Sequence, residues 1–266
     1  MDSKKVAIVT GGSGGIGRAA ALELAARGCT VYELSRTNEH PAEGITHLDC
    51  DVTDEAAVSA AVNTVLLSGG RVDLLVCCAG SGISGAVEYT VPEDSHAQLE
   101  VNLFGVDRAV RAVLLTMREQ QRGRIVIVSS VAAVTPIPFQ TWYSVSKAAL
   151  NAYASALSGE MRPYGITVSV VMPGDIKTGF TAARKKTPFG DGEYTERVQR
   201  SVGKMEHDEQ NGLSADYAGK IVAKAALSRR ARPLRSTGFA YSAVCTLAKI
   251  LPARLMQWIL YSMYAK

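Results

Sequence analysis

The 266-residue sequence predicts an α/β domain, a doubly wound parallel sheet with helices on both faces. Three observations carry that expectation. Short apolar runs alternate with longer helical patterns along most of the chain. Several of the runs are β-branched and nearly continuous, as strands buried on both faces are. The first run also passes through a glycine-rich turn directly into a helical pattern. Repeated strand–helix–strand units set parallel strands side by side through right-handed crossovers. No internal repeat or low-complexity linker interrupts the alternation, so a single domain is the simplest organisation.

VAIVT (6–10) is the first expected strand, and TGGSGGIG (10–17) turns it into a helix over residues 15–27. TVYEL (30–34) and ITHL (45–48) are the next two strands. A helix near 54–67 leads into the strand LLVCC (74–78). Pro92 suits the first turn of a long helix over 93–119. RIVIVS (124–129), a helix near 141–162 and ITVSVVM (166–172) complete the alternation. After Pro173 the chain becomes polar and dotted with glycine. Residues 175–212 read as a flexible substrate loop or loop-helix insertion, not as core. A helix resumes near 214–228. The tail from Phe239 is apolar again, and Pro252 splits it into two amphipathic segments carrying Lys249, Arg254 and Lys266. The expected boundaries are a main domain over residues 1–238 and a helical tail over 239–266.

The chain is 47% hydrophobic and 20% charged, enough apolar material for a core. Its net charge of +4, from 29 basic and 25 acidic residues, is too weak to argue for nucleic acid. The densest basic spots, Arg184-Lys185-Lys186 and Arg229 to Arg235, read as solvated loops. The five cysteines, Cys29, Cys50, Cys77, Cys78 and Cys245, fit no disulfide framework and no zinc site. His40, His47, His96 and His207 are scattered, so no metal is expected. No signal peptide is expected before Val6, and no run of about 18 apolar residues reads as a spanning helix. A reducing, cytoplasmic setting follows.

A strand, a glycine turn and a helix form the setting in which backbone N–H groups and a helix N-terminus hold a diphosphate. The glycine spacing has three readings: Gly12, Gly14 and Gly17; Gly11, Gly14 and Gly17; or Gly11, Gly15 and Gly17. The choice between NAD and NADP falls at the end of the second strand, Glu33-Leu34-Ser35-Arg36. Alternating side chains mean Glu33 need not reach the ribose. Ser35 and Arg36 sit at the tip, and an arginine there can bind a 2′-phosphate through charge-assisted hydrogen bonds. NADP(H) is therefore the preferred expectation, with NAD(H) and a ribose-binding Glu33 as the alternative.

WYSVSKAAL (142–150) places Tyr143 and Lys147 at i and i+4, on one helix face. A phenol titrates near pH ~10 in water, and a neighbouring ammonium favours its ionised form. Lowering it by about 3 units takes ~4 kcal/mol. A tyrosine so poised can protonate a developing alkoxide or deprotonate an alcohol. Ser130 ends the strand RIVIVSS. Asn102 lies inside the long expected helix, an unfavourable place for asparagine. A kinked helix with a water-binding carbonyl would account for it, as would a polar residue satisfied by the protein.

TGGSGGIG, Asp51-Val52, CCAG (77–80), Asn102, Ser130, YSVSK (143–147) and PGDIKT (173–178), in this order, resemble the short-chain dehydrogenase/reductase family in its single-domain form. The resemblance covers about residues 4–230 and implies a Rossmann-type sheet. It implies that Gly11, Gly15 and Gly17 are the turn glycines, with Ser13 and Ile16 beside them on the cofactor. It implies that Asp51 bonds the adenine, that Val52 packs on it, and that Ala79 and Gly80 lie against the cofactor. Pro173, Gly174, Ile176 and Thr178 would line the nicotinamide. Ser130 would bond the substrate oxygen, Tyr143 would be the acid/base, and Lys147 would hold the ribose and depress the tyrosine pKa. Asn102 would anchor a water linking Lys147 to solvent. Cys77-Cys78 departs from the family's Asn-Asn at those positions, which removes two amide side chains. As adjacent strand residues, the two thiols should point to opposite faces.

The implied reaction interconverts a ketone and a secondary alcohol. The apolar tail suggests a lipid-like or steroid substrate and, through its amphipathic segments, a peripheral membrane contact. Loosely, the CCAG-to-PGDIKTGF region is most similar to hydroxysteroid dehydrogenases. A 3-oxoacyl-[acyl-carrier-protein] reductase is the enzymatic alternative, with Arg184-Lys185-Lys186 facing the acidic carrier. A catalytically idle NADP-binding sensor or scaffold is the alternative of another class. The resemblance further implies a homodimer or homotetramer formed through the two long helices.

Overall fold

The computed structural model describes residues 4–188, 192–228 and 233–266. Its central sheet holds strands β1 (Val6–Thr10), β2 (Thr30–Ser35), β3 (Ile45–Asp49), β4 (Leu74–Cys77), β5 (Gly123–Val128), β6 (Ile166–Met172) and β7 (Leu234–Ser236). All pair in parallel, in the order β7-β6-β5-β4-β1-β2-β3. Successive side chains feed two cores. Ile8, Leu75, Ile125 and Val168 face one, and Ala7, Val9, Val76 and Val126 face the other. The β-branched runs are continuous because both faces are covered.

Helices α1 (Gly15–Ala26) and α7 (Ala215–Leu227) cover the second face. They pack closely, since a Cβ at Gly219 would lie 2.5 Å from that of Ala19. Helices α2 (Glu55–Gly69), α4 (Gly105–Glu119) and α5 (Thr141–Met161) cover the first. Local chemistry sets their ends. Asp54 caps α2 by accepting from the amides of Ala56 and Ala57, at 2.8 and 3.1 Å. Pro92 opens α3 (Pro92–Leu99). The tail forms α8 (Phe239–Ile250) and α9 (Ala253–Tyr264), parted at Pro252. No helix among the described residues is long and apolar enough to cross a membrane.

Three expectations need correction. The long helix over 93–119 is divided, because a π-helical turn, Glu100–Phe104, separates α3 from α4 and carries Asn102. The segment 175–212, expected as a loop or loop-helix insertion outside the core, is the second and contributes to the core. Helix α6 (Gly192–Gln210) buries Val198, Val202 and Met205 in a third apolar cluster with Ala86, against which Tyr264 packs. The basic segment 229–235 is not wholly a solvated loop. Leu234–Ser236 pairs with Val170–Met172 as the seventh strand, while residues 229–232 lie outside the described ones.

Candidate active site

The strand order reverses between β1 and β4, and the loops after the strands enclose a cleft of about 930 Å³. Ligands of doubly wound sheets bind at such a switch point. The turn between β1 and α1 gives the cleft Gly11, Ser13, Gly15, Ile16 and Gly17. The ends of β2 and β3 give it Ser35, Arg36, Asp51 and Val52, and β4 leads to Ala79 and Gly80. Ser130 follows β5, Tyr143 and Lys147 come from α5, and Pro173, Gly174, Ile176 and Thr178 follow β6. Of the site residues that the family resemblance implies, Asn102 alone is not in this lining.

The first turn fits a dinucleotide. Gly11 has φ +67°, and a Cβ there would stand 2.7 Å from the Ala79 backbone. A Cβ at Gly17 would lie 2.2 Å from the Gly11 carbonyl oxygen. Gly15 has φ +51°, whereas Gly14 meets nothing within 4 Å. The backbone thus matches the reading with Gly11, Gly15 and Gly17. Helix α1 begins without a side-chain cap and with no acidic residue in its first turn, so its amides are left for an anion. Glu33 is turned away from the cleft and is only 1% exposed. Its carboxylate accepts from Ser35 (2.9 Å) and Asn38 (2.7 Å), and it pairs with His47. Arg36 is exposed, and its charge helps hold the Asp51 carboxyl below its usual range, after the larger effect of the Thr53 amide.

Ser130, Tyr143 and Lys147 meet where β5 ends against α5. Tyr143 and Ser130 are joined by a hydrogen bond. The Lys147 ammonium lies 5.6 Å from the Tyr143 ring centre and donates to the Val128 carbonyl at 3.0 Å. Burial pushes Tyr143 up to about 12, against the lowering effect of Ser130, and brings Lys147 down to about 8. Burial is the largest effect on the phenol, so the lysine and an oxidised nicotinamide would have to lower its pKa against it. Asn102 is fully buried behind the wall. Its amide accepts from Ser81 N (2.8 Å) and donates to Ser81 O (3.1 Å) and Ser146 Oγ (3.0 Å).

Cys77 and Cys78 do point to opposite sides. Cys77 is buried in the first core, while Cys78 lines the cleft, where burial lifts its thiol to about 12 despite Lys147.

Several cleft residues were not singled out in the sequence, although they come from the 175–212 segment and the tail. Phe180 packs its ring 5.7 Å from that of Tyr143. Tyr241, from the tail, donates to Asp175 Oδ2 (2.8 Å), accepts from Asp175 N (3.0 Å), and covers Gly174 so closely that a Cβ there would be 2.1 Å from its ring. Glu209 lines the cleft and accepts from Thr181 at 2.6 Å and from Arg184. Arg184 is therefore no solvated residue. Its side chain is wholly buried, and its neighbours Lys185 and Lys186 pair with Asp94 and Glu206, at 2.5 and 2.7 Å. Met256, Leu260, Met263 and Tyr264 of α9 line the same cleft. Among the described residues, no group of three or more His, Cys, Asp or Glu could hold a metal ion.

The family model described as short chain dehydrogenase matches residues 5–188. The chain belongs to that family. This short-chain dehydrogenase is 36% identical over 257 residues to 3-ketodihydrosphingosine reductase of Bacteroides thetaiotaomicron, covering 96% of this chain and 93% of that protein. It is 36% identical over 187 residues to 3-oxoacyl-[acyl-carrier-protein] reductase of Escherichia coli, covering 67% of this chain and 76% of that one. A short-chain dehydrogenase of Streptomyces avermitilis superposes with a TM-score of 0.84 at 30% identity, over 98% of both chains. A Burkholderia phymatum structure of the same fold holds NAD (TM-score 0.82, 24% identity, 92% of each chain). ElxO holds NADP (TM-score 0.74, 25% identity, 91% of this chain and 100% of that one). The short-chain dehydrogenase is thus an oxidoreductase of CH–OH groups that uses a nicotinamide dinucleotide.

Proposed function

We propose that this enzyme is an NADP(H)-dependent reductase of ketones bearing a long apolar group. The observation that carries the reading is the cleft itself: Tyr143 and the tail residues Leu247, Met256, Leu260 and Met263 line one continuous space. The relative of Bacteroides thetaiotaomicron, matched over nearly its whole length, is named for reduction of a lipid-derived ketone. NADP is favoured because Arg36 lines the cleft while Glu33 is buried against its own neighbours. Asp175, Asp208 and Glu209 give the apolar wall a polar end, suited to a head group beside the carbonyl.

Bound nicotinamide supplies the hydride. Ser130 donates a hydrogen bond to the carbonyl oxygen as its charge grows. Tyr143 delivers its phenol proton to that oxygen. Lys147 holds the cofactor and places a positive charge near the phenol. Ser81 and Ser146 take both N–H groups of the Asn102 amide and one lone pair of its oxygen, so a water relay at this residue uses its main-chain carbonyl at the π-turn. A homodimer or homotetramer through α4 and α5 belongs to the same proposal, and light scattering tests it.

The first experiment follows NADPH and NADH oxidation with long-chain, steroid, 3-oxoacyl and small ketones. Preference for an apolar long-chain ketone with NADPH is expected. Arg36→Leu should lower the NADPH over NADH preference by about tenfold or more. Turnover with NADH alone would overturn the role of Arg36. The acyl-carrier alternative draws on the Escherichia coli relative, yet of the basic trio meant for the carrier Arg184 is buried in a pair with Glu209, which leaves only Lys185 and Lys186 at the surface. Cofactor binding without any turnover would bring forward the idle sensor.

A further inference from the structure

We propose that the outer face of α8 and α9 docks on an anionic lipid surface and opens the cleft to it. The face is apolar and uncovered: Phe239 is 91% exposed, Ile250 69% and Trp258 64%. Leu255 and Tyr261 are exposed beside them. Helix α9 buries none of its residues fully, so it lies on the body as a surface layer. Exposed apolar patches of this kind mark contact surfaces.

Charge and continuity select the occupant. The last 28 residues carry Lys249, Arg254 and Lys266, all exposed, and no acidic side chain. Two copies meeting through this face would bring like charges together. Anionic headgroups match it, with apolar side chains entering the headgroup boundary as in interfacial helices. The patch also runs into the cleft. Val244, Leu247 and Met263 are exposed and line the cleft as well. A long-chain ketone could pass from hydrocarbon to the wall beside Tyr143 without its chain crossing water.

The delivery role rests on the long-chain reading of the cleft; the docking itself does not. The test therefore measures binding without turnover. Full-length protein is mixed with vesicles of phosphatidylcholine, alone or with phosphatidylglycerol. Co-sedimentation and the fluorescence of Trp258 in a Trp142→Phe background report binding. The expected result is binding to the anionic vesicles at least about tenfold tighter than to the neutral ones, weakened by salt. Paired substitutions Ile250→Glu and Trp258→Glu, at residues outside the cleft, should abolish binding yet leave reduction of a short soluble ketone unchanged. Absence of vesicle binding would overturn the proposal, as would binding that survives the paired substitutions. So would a dimer that these substitutions convert to monomer while vesicles stay unbound, since a second copy would then be the occupant. If vesicles bind but no long-chain ketone is reduced, the substrate reading fails and the docking surface stands.

Discussion

The phenol of Tyr143 lies between the Ser130 hydroxyl and the Phe180 ring, in a cleft dry enough to lift it to about 12. A phenol that carries its proton at neutral pH can donate it to the alkoxide that forms when a ketone is reduced. Tyr143→Phe keeps the ring packing and removes the proton. It should cut ketone reduction by about 10²- to 10⁴-fold and leave cofactor affinity within about twofold. Lys147 sets a second pH dependence. Burial brings its pKa down to about 8, below the ordinary lysine range, so its charge is present below about pH 8 and lost above it. An anionic cofactor gains from that charge. Its dissociation constant should therefore rise with pH above about 8, by up to about tenfold per unit, when titrated by fluorescence. Lys147→Met should bind weakly at every pH and show no such rise. A profile unchanged by the substitution would mean that another group carries the dependence.

Among the elements, α6 and the turn before it hold the substrate side together. Arg184 and Glu209 form a pair whose arginine side chain has no exposure, with the Phe180 ring 5.6 Å from the guanidinium. Breaking a buried pair leaves one charge uncompensated. Arg184→Met or Glu209→Met alone should lower unfolding free energy by about 3 kcal/mol in urea, and the double variant should recover most of it. Additive losses would mean that the two do not act as a pair. Nothing near Arg184 in the sequence points to Glu209, because the pair spans 25 positions and a basic trio is usually solvated. Other features were readable. Six of the seven strands stand out as apolar runs, and the cleft lining named from motifs comes together around one switch point. The seventh strand has only three residues, too few to carry a period. Val198, Val202 and Met205 do follow the i, i+4, i+7 spacing of a helix face. The charge and glycine around them hid it. The π-turn at Asn102 left only a weak trace, an asparagine where helix propensity disfavours one.

At the level of the whole molecule, the cleft has two ends built by different parts of the chain. The turns after β1, β2, β3 and β4 form the nucleotide end, while α6, α8 and α9 close the substrate end. Tyr241 of α8 ties them, because it rests on Gly174 and bonds Asp175. Deleting the entire tail would therefore disturb both ends, and equal losses on all substrates would follow from the missing Tyr241 alone. Removing only Ala253–Lys266 separates the effects. That cut keeps Tyr241, Val244 and Leu247 and takes away Met256, Leu260, Met263 and Tyr264 from the wall. Each methylene that loses its apolar contact costs about 0.8 kcal/mol, roughly fourfold in kcat/KM. A chain that loses contact at three methylenes should then be reduced about fiftyfold less efficiently. A short ketone should change by less than about threefold, because it reaches only Ser130, Tyr143 and the near wall. NADPH affinity should hold, since no nucleotide-end residue is removed. Tyr264 also packs on the cluster of α6, so a thermal melt must first establish that the shortened chain is folded. With folding intact, equal losses for long and short ketones would assign α9 to stabilising the site as a whole and remove it from substrate selection.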